Sequence, residues 1–125
     1  MDNVSETYSV AMDNVAIAET YYKAWGEKDF DRMEKVLDPH VQLITPLEET
    51  VVLGKEAILE KLKKGAAFFK DLTIRAKFGS GNQTMLVIDL DFPFPIGKMR
   101  SASLMTFQKG LITSIELFFD TKAKA

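Results

Sequence analysis

The sequence contains no cysteine and only one histidine, His40. The absence of cysteine excludes disulfide bonds, thiol nucleophiles and cysteine-ligated metal sites. A single histidine cannot form a multi-histidine metal site within one chain. The sequence also lacks a glycine-rich phosphate loop, a nucleophile elbow and a paired metal-ligand motif. We therefore expect no metal site and no cofactor.

Neither sign of charge dominates, and long apolar runs are missing. The chain has 16 Lys and Arg residues against 18 Asp and Glu residues, a formal charge of −2, whereas a nucleic-acid binder usually carries a basic excess. No apolar run approaches the ~20 residues of a membrane span, and the acidic N-terminal segment is unlike a secretory signal. These features predict a cytoplasmic protein with no nucleic-acid partner and no membrane partner.

The 125 residues are enough for one domain with a sizeable core. A chain of this length buries roughly two-thirds of its unfolded surface, so it can fold without cross-links. Residues 1–12 are polar and show no clear periodicity, so we predict an N-terminal tail there. A single domain is expected over residues 13–125.

Apolar residues at helical spacing predict three helices. They cover residues 13–26, 29–38 and 55–69. Asp13 or Asn14 is the expected N-cap of the first helix and Asp29 that of the second, because their short side chains can accept hydrogen bonds from free backbone N–H groups. Pro39 is expected to end the second helix.

Alternating apolar and polar residues predict five strands, one before the third helix and four after it. They cover residues 40–46, 72–78, 85–92, 98–108 and 111–120. One face of the second of these strands is expected to carry Leu72, Ile74, Ala76 and Phe78. Helices gathered before a run of antiparallel strands predict an α+β domain, in which the helices cover one face of the sheet.

Three short segments carry a family resemblance. They are Tyr21–Trp25 (YYKAW), Gly54–Ile58 (GKEAI) and Gly110–Glu116 (GLITSIE). In this order they resemble the nuclear transport factor 2-like superfamily, in particular its SnoaL-like and ketosteroid isomerase-like branches. The resemblance implies a cystatin-like roll, a cone-shaped antiparallel or mixed sheet covered by three helices. It also implies an apolar cavity inside the cone and homodimers formed through the outer face of the sheet.

The resemblance also points to three candidate catalytic positions. In ketosteroid isomerases a tyrosine of the first helix stabilises an enolate oxygen, and Tyr21 matches that tyrosine. The two carboxylates of those enzymes match Thr45, directly before Pro46, and Ser103. A hydroxyl is not a general base near neutral pH. The trio of Tyr21, Thr45 and Ser103 is therefore expected to orient a ligand rather than to move a proton.

The expected ligand is a small apolar molecule held inside the cone. The side chains expected to face this interior are Tyr21, Trp25, Leu43, Leu62, Phe69, Ile88, Leu90, Phe92, Met105, Ile115, Leu117 and Phe119. Carbonyl compounds fit such a site, and isomerisation, cyclisation or dehydration would be the matching reactions if the chain is an enzyme. The sequence leaves that question open, because the isomerase carboxylates are absent.

Other titratable residues are interpreted as surface groups. His40 begins the first strand and is expected at the end of the sheet. Glu48 and Glu49 lie on the loop after Pro46, near the expected mouth of the cone, where solvated charge is the ordinary condition of a loop carboxylate.

The alternative function is a non-catalytic dimerisation or protein-interaction module with a packed interior. Such a module would use the outer face of the sheet. The residues expected on that face are Val87, Asp89, Asp91, Arg100 and Ala102.

Overall fold

A computed structural model describes residues 3–46 and 51–119 of the chain, with side chains from residue 10 onward. These residues form three helices and six strands, in the order α1 (Asn3–Gly26), α2 (Phe30–Glu34), β1 (Leu37–Ile44), β2 (Val51–Leu53), α3 (Lys55–Ala66), β3 (Asp71–Ser80), β4 (Gln83–Asp91), β5 (Lys98–Gln108) and β6 (Leu111–Phe118). Across the described ranges, no helix combines the length and the apolar character needed to cross a membrane.

The six strands belong to one curved sheet, in the order β2-β1-β6-β5-β4-β3. β1 pairs with β6 in parallel and the other pairings are antiparallel, so the sheet is mixed. The helix α1 packs against β3 and β4, and α3 packs against β1. The predicted α+β architecture, with helices on one face of a curved sheet, is confirmed.

The first helix starts earlier than the sequence pattern predicts. Residues 3–12, interpreted above as a tail, belong to α1. Asn14 is inside this helix and 4% exposed, so the predicted cap at Asp13 or Asn14 is wrong. Ala11 is also buried, and its backbone lies against β3. The sheet therefore supports this part of the helix through tertiary packing, which local sequence periodicity does not record.

A β-bulge in β3 changes which side chains face the helices. The pairing of β3 with β4 shifts register between Ile74 and Ala76, and an extra residue in one strand reverses the alternation of faces beyond it. Leu72 and Ile74 pack against the core, whereas Phe78 is 64% exposed. The prediction that Phe78 shares their face is therefore wrong. Gly79 faces α1 in its place.

The start of α2 agrees with the prediction from the sequence, whereas its end does not. Asp29 caps α2 as predicted, because its carboxylate accepts a 3.2 Å hydrogen bond from the N–H of Arg32. The helix ends at Glu34, however, and β1 begins at Leu37. Pro39 lies inside β1, in a stretch where the pairing with β6 is irregular. A proline is tolerated there because no regular ladder needs its missing N–H.

Two other boundaries differ from the prediction. Val51–Leu53 forms a short strand that pairs antiparallel with β1, although the sequence pattern does not indicate it. The third helix ends at Ala66 rather than Phe69, and the Phe68 N–H closes its last turn by donating to the Gly65 carbonyl oxygen at 3.0 Å. Both differences concern short segments, where periodicity is weakest.

The outer face of the sheet carries the residues predicted for it. Asp89 on β4 and Arg100 on β5 are cross-strand partners, joined by hydrogen bonds of 2.7 and 3.3 Å. Ile88 and Leu90, which alternate with Asp89, are buried on the opposite face. Dimerisation through the outer face stays a prediction.

Replacing Gly79 with alanine is expected to destabilise the fold by about 1–3 kcal/mol, the usual cost of overpacking. A Cβ at this position would lie 2.6 Å from Val15 Cγ2 and 2.9 Å from the Ala11 carbonyl oxygen, so α1 would have to move. The measurement is the free energy of unfolding in urea. Gly26→Ala is the matched control, since its Cβ would meet Leu72 at an ordinary 3.5 Å. Equal losses in the two variants would contradict this explanation.

Candidate functional site

A row of aromatic rings runs from the core towards the surface. Its members are Tyr21, Tyr22 and Trp25 on α1, Phe69 after α3, and Phe92 at the end of β4. Successive ring centroids are 4.9, 6.4, 4.9 and 6.4 Å apart, and three of the four contacts are edge-to-face. These distances and orientations are those that aromatic pairs prefer. The row joins the middle of the core to one end of the domain.

An apolar cavity of about 520 Å³ opens at the outer end of this row. It lies between the end of α3 and the loop that joins β4 to β5. Its lining residues are Trp25, Gly65, Ala67, Phe68, Phe69, Phe92, Pro93, Phe94, Pro95 and Ile96. Phe68 is 65% exposed and Phe94 is 96% exposed, so two aromatic rings at the rim present much of their surface to solvent. We call this cavity the aromatic pocket.

The lining of the aromatic pocket carries no titratable side chain. Trp25 is the one lining residue with a polar side-chain atom, and its Nε1–H already donates to the Leu62 carbonyl oxygen at 2.9 Å. A buried polar group without a partner costs free energy. The pocket therefore favours the apolar part of a molecule.

Two of the three predicted polar residues lie apart from each other in the sheet. Thr45 and Ser103 are both buried, at 5% and 0% exposure. Thr45 directly follows β1 and Ser103 is in β5, with β6 between them. Two strand spacings amount to about 10 Å. Neither residue lines the aromatic pocket, and their joint contact with a ligand stays a prediction.

The tyrosine that approaches Ser103 is Tyr22 rather than Tyr21. Burial raises the pKa of Tyr22 to about 12, and the neighbouring Ser103 hydroxyl opposes that rise. Burial, with a smaller contribution from Tyr22, raises the pKa of Tyr21 well above its usual value. Both phenols are therefore neutral donors at physiological pH and not bases. The inward orientation of Tyr22 was predictable from the sequence, because Tyr22 shares its helical row with Val15, Ala18 and Trp25.

Two buried hydroxyl oxygens in the sheet, Ser103 Oγ and Thr84 Oγ1, form no hydrogen bond of regular geometry among the described residues. Ser103 Oγ is nevertheless close enough to the Tyr22 phenol to lower the pKa of that phenol. Ser103 pairs with Leu86 and Thr84 with Met105, so the two hydroxyls are diagonal neighbours on β5 and β4. Thr84 is absent from the predicted site, because the predicted strand starts one residue later. The alternation of Leu86 and Ile88, extended backwards, would have placed it on the inner face.

The other predicted interior residues divide into two groups. Trp25, Phe69 and Phe92 line the aromatic pocket. The residues that are buried and belong to the packed core are Tyr21, Leu43, Leu62, Ile88, Leu90, Met105 and Ile115. Leu117 and Phe119 are partly exposed near the end of β6. Contact between a ligand and the core group stays a prediction.

Among the residues that the structure describes, the remaining titratable candidates do not line the aromatic pocket. His40 is exposed, as expected, and its backbone N–H donates to Asp38 at 2.8 Å. The hydrogen bond from Arg100 lowers the pKa of Asp89 on the outer face. Glu48 and Glu49 lie outside the described residues.

The fold and the pocket define a class: a curved mixed sheet, covered by helices, with an apolar opening at one end. A family comparison matches residues 18–115 to the SnoaL-like domain. The chain therefore belongs to the SnoaL-like family, within the nuclear transport factor 2-like and ketosteroid isomerase-like fold. No curated protein matches the sequence.

Solved structures with low sequence identity share this fold. A nuclear transport factor 2-like protein of unknown function from Burkholderia xenovorans has a TM-score of 0.79 at 16% identity, over 87% of this chain and 84% of its own. TerC, co-crystallised with polyporic acid, has a TM-score of 0.76 at 18% identity, over 90% and 95%. A hypothetical ketosteroid isomerase-like protein from Catenulispora acidiphila, in complex with trimethylamine, has a TM-score of 0.70 at 15% identity, over 84% and 85%.

Stability is expected to fall between about pH 10 and 12, in part because of Tyr22. Its folded pKa of about 12 exceeds the unfolded value near 10. The stability that comes from keeping this phenol neutral is therefore complete below pH 10 and is lost as pH rises towards 12. Urea unfolding at pH 8, 10 and 11.5 should show a smaller alkaline loss in Tyr22→Phe than in the wild type. Lysine titration affects both proteins alike, so identical pH profiles would refute the assignment.

Thr84→Val is expected to stabilise the protein by up to about 1 kcal/mol. Valine keeps the shape of threonine and removes a hydroxyl that is buried without a partner among the described residues. Thr106→Val is the control, since Thr106 lies on the outer face of β5 and accepts a hydrogen bond from Gln83 at 3.2 Å. Urea unfolding of both variants provides the test. A loss of more than 1 kcal/mol in Thr84→Val would mean that something satisfies this hydroxyl.

Proposed function

We propose that this chain is a small-molecule-binding protein of the SnoaL-like type, which holds an apolar ligand in the aromatic pocket. The observation that carries the proposal is the pocket itself. It has a volume of about 520 Å³, within the range of small-molecule sites, and its lining is apolar. The exposed rings of Phe68 and Phe94 would gain packing contacts from such a ligand.

The ligand would contact Trp25, Phe69 and Phe92 first. These rings already contact one another, so their positions do not have to be ordered when a ligand binds. A planar or aromatic molecule would add edge-to-face contacts of the same kind. TerC, a solved structure of the same fold, was co-crystallised with the small molecule polyporic acid.

The finer part of the proposal concerns a carbonyl group on the ligand. The neutral phenol of Tyr22 follows Trp25 on the inner side of the aromatic row, and the hydroxyl of Ser103 is its neighbour. Both can donate a hydrogen bond to an oxygen atom. A ligand that extends past Trp25 would place a carbonyl oxygen there, where the hydroxyls would orient it. Catalysis by isomerisation, cyclisation or dehydration would then need an acid or base other than Thr45 and Ser103.

The second candidate function is an interaction module that uses the outer face of the sheet. Phe78 and Phe118 are exposed there, at 64% and 45%. A homodimer through this face would bury both rings together with the Asp89–Arg100 pair. This candidate is compatible with ligand binding, since the two surfaces do not share residues.

The test is a fluorescence titration, because Trp25 is the only tryptophan in the chain. The panel consists of apolar carbonyl compounds: steroids, polyketide-like aromatics and fatty acids. A saturable change in Trp25 emission with one class is expected. Phe92→Ala should then weaken binding of that class about three- to tenfold, the effect of one lost aromatic contact.

Phe78→Ala is the matched control for this titration. It also removes an exposed phenylalanine, but from the outer face, so affinity should stay at the wild-type value. Emission that no member of the panel changes would remove the support for an apolar ligand. Equal effects of the two substitutions would contradict the location of the site.

A further inference from the structure

A second cavity, which shares no lining residue with the aromatic pocket, lies between α1 and the edge strand β3. Its volume is about 570 Å³. Two rows of side chains form it: Glu19, Tyr22, Lys23 and Gly26 on α1, and Lys70, Leu72, Ile74 and Lys77 on and before β3. The β-bulge in β3 places Lys77 on the same side as Leu72 and Ile74. We call this cavity the lysine groove.

The floor of the lysine groove is apolar. Leu72 and Ile74 are partly buried and pack against the core, and Tyr22 is 1% exposed. Gly26 carries no side chain at the point where α1 comes near Leu72; a Cβ there would stand 3.5 Å from that residue. The groove can therefore accept the apolar part of a small molecule along this floor.

Three lysines and one glutamate line the lysine groove, and two of the lysines are paired with the glutamate. Glu19 Oε2 lies 3.0 Å from Lys77 Nζ and 4.0 Å from Lys23 Nζ. Lys70 lines the same groove and has no ion-pair partner among the described residues. The local balance of these four groups is two positive charges, in a chain with a formal charge of −2.

The other charged residues of the lining are engaged elsewhere. Glu27 accepts a 3.1 Å hydrogen bond from Arg32, and the Asp71 carboxylate accepts one of 2.9 Å from the Leu72 N–H. Arg75 is near Asp89 on the outer face of the sheet. Asp71 alternates with Leu72 on β3, so its carboxylate lies on the outer side of the strand. None of the three side chains forms an ion pair with Lys23, Lys70 or Lys77.

We propose that the lysine groove is a second binding site, for a phosphate monoester attached to a small apolar group. A phosphate monoester carries about −1.5 to −2 charges at pH 7, which matches the local excess of two. The phosphate would take the place of the Glu19 carboxylate beside Lys77, and the apolar group would lie on Leu72 and Ile74. A carboxylate ligand would match only half of the charge.

The probes are phenyl phosphate, inorganic phosphate and benzoate, each titrated calorimetrically into the full chain at low ionic strength. Phenyl phosphate should bind with the highest affinity, because only it supplies both the dianion and the apolar group. Lys70→Gln should weaken its binding about two- to fivefold, the range of a partly exposed ion pair. Higher salt should weaken it as well.

Glu19→Gln is the most discriminating variant, because the proposal predicts tighter binding of phenyl phosphate. If the Glu19–Lys77 ion pair served only to hold the groove together, the same substitution would weaken that binding. Removing the competing carboxylate should strengthen phenyl phosphate binding about two- to fivefold. The control is Lys109→Gln, an exposed lysine on the turn between β5 and β6, which should leave the affinity unchanged. Thermal unfolding of each variant checks that the fold is retained.

Three results would overturn the proposal. The first is the absence of saturable heat with phenyl phosphate. The second is equal affinity of the wild type and Lys70→Gln for that probe. The third is a weaker affinity in a folded Glu19→Gln variant. Each concerns the lysine groove alone, so the outcome is independent of ligand binding in the aromatic pocket.

Discussion

The close contact between α1 and β3 is the constraint on which the rest of the structure depends. Gly79 meets the backbone of Ala11 and the side chain of Val15, with no room for a Cβ. This contact becomes possible because the β-bulge turns Gly79, and not Phe78, towards the helix. The position of α1 against the inner face of the sheet follows from it.

Once α1 is held in this way, both cavities follow from its path. Near its C-terminal end the helix carries Tyr22 into the core and Trp25 against Phe69, so the aromatic pocket forms beyond Trp25. The opposite side of the same turns faces β3 and leaves the lysine groove. Gly26 ends the helix there, so the two cavities lie on either side of one helix end.

The two cavities differ in charge because different elements of the fold form their walls. The aromatic pocket is made by loop and helix-end residues, whose side chains are almost all hydrocarbon. The lysine groove is bounded by an edge strand, and edge strands commonly carry charged residues that discourage pairing with other chains. Buried hydroxyl side chains, those of Ser103 and Thr84, lie in the core. The fold by itself does not determine a reaction.

Several local features were predictable from the sequence alone. The order of the three helices and of five of the six strands, the cap at Asp29 and the burial of Ile88 and Leu90 all depend on short-range spacing. Backbone geometry imposes that spacing, with a period of 3.6 residues in a helix and two in a strand. The family resemblance, which was based on three short segments and their order along the chain, is likewise confirmed.

The tertiary structure decided the features that depend on contacts between distant segments. It extended α1 back to Asn3, reversed the faces of β3 after Ile74, and placed Tyr22 rather than Tyr21 beside Ser103. It also separated Thr45 from Ser103 by an intervening strand. Local spacing does not carry this information, because the same pattern of apolar and polar residues is compatible with several strand registers and several strand orders. The sequence by itself therefore determined the elements and the fold family, whereas long-range packing determined which side chains meet.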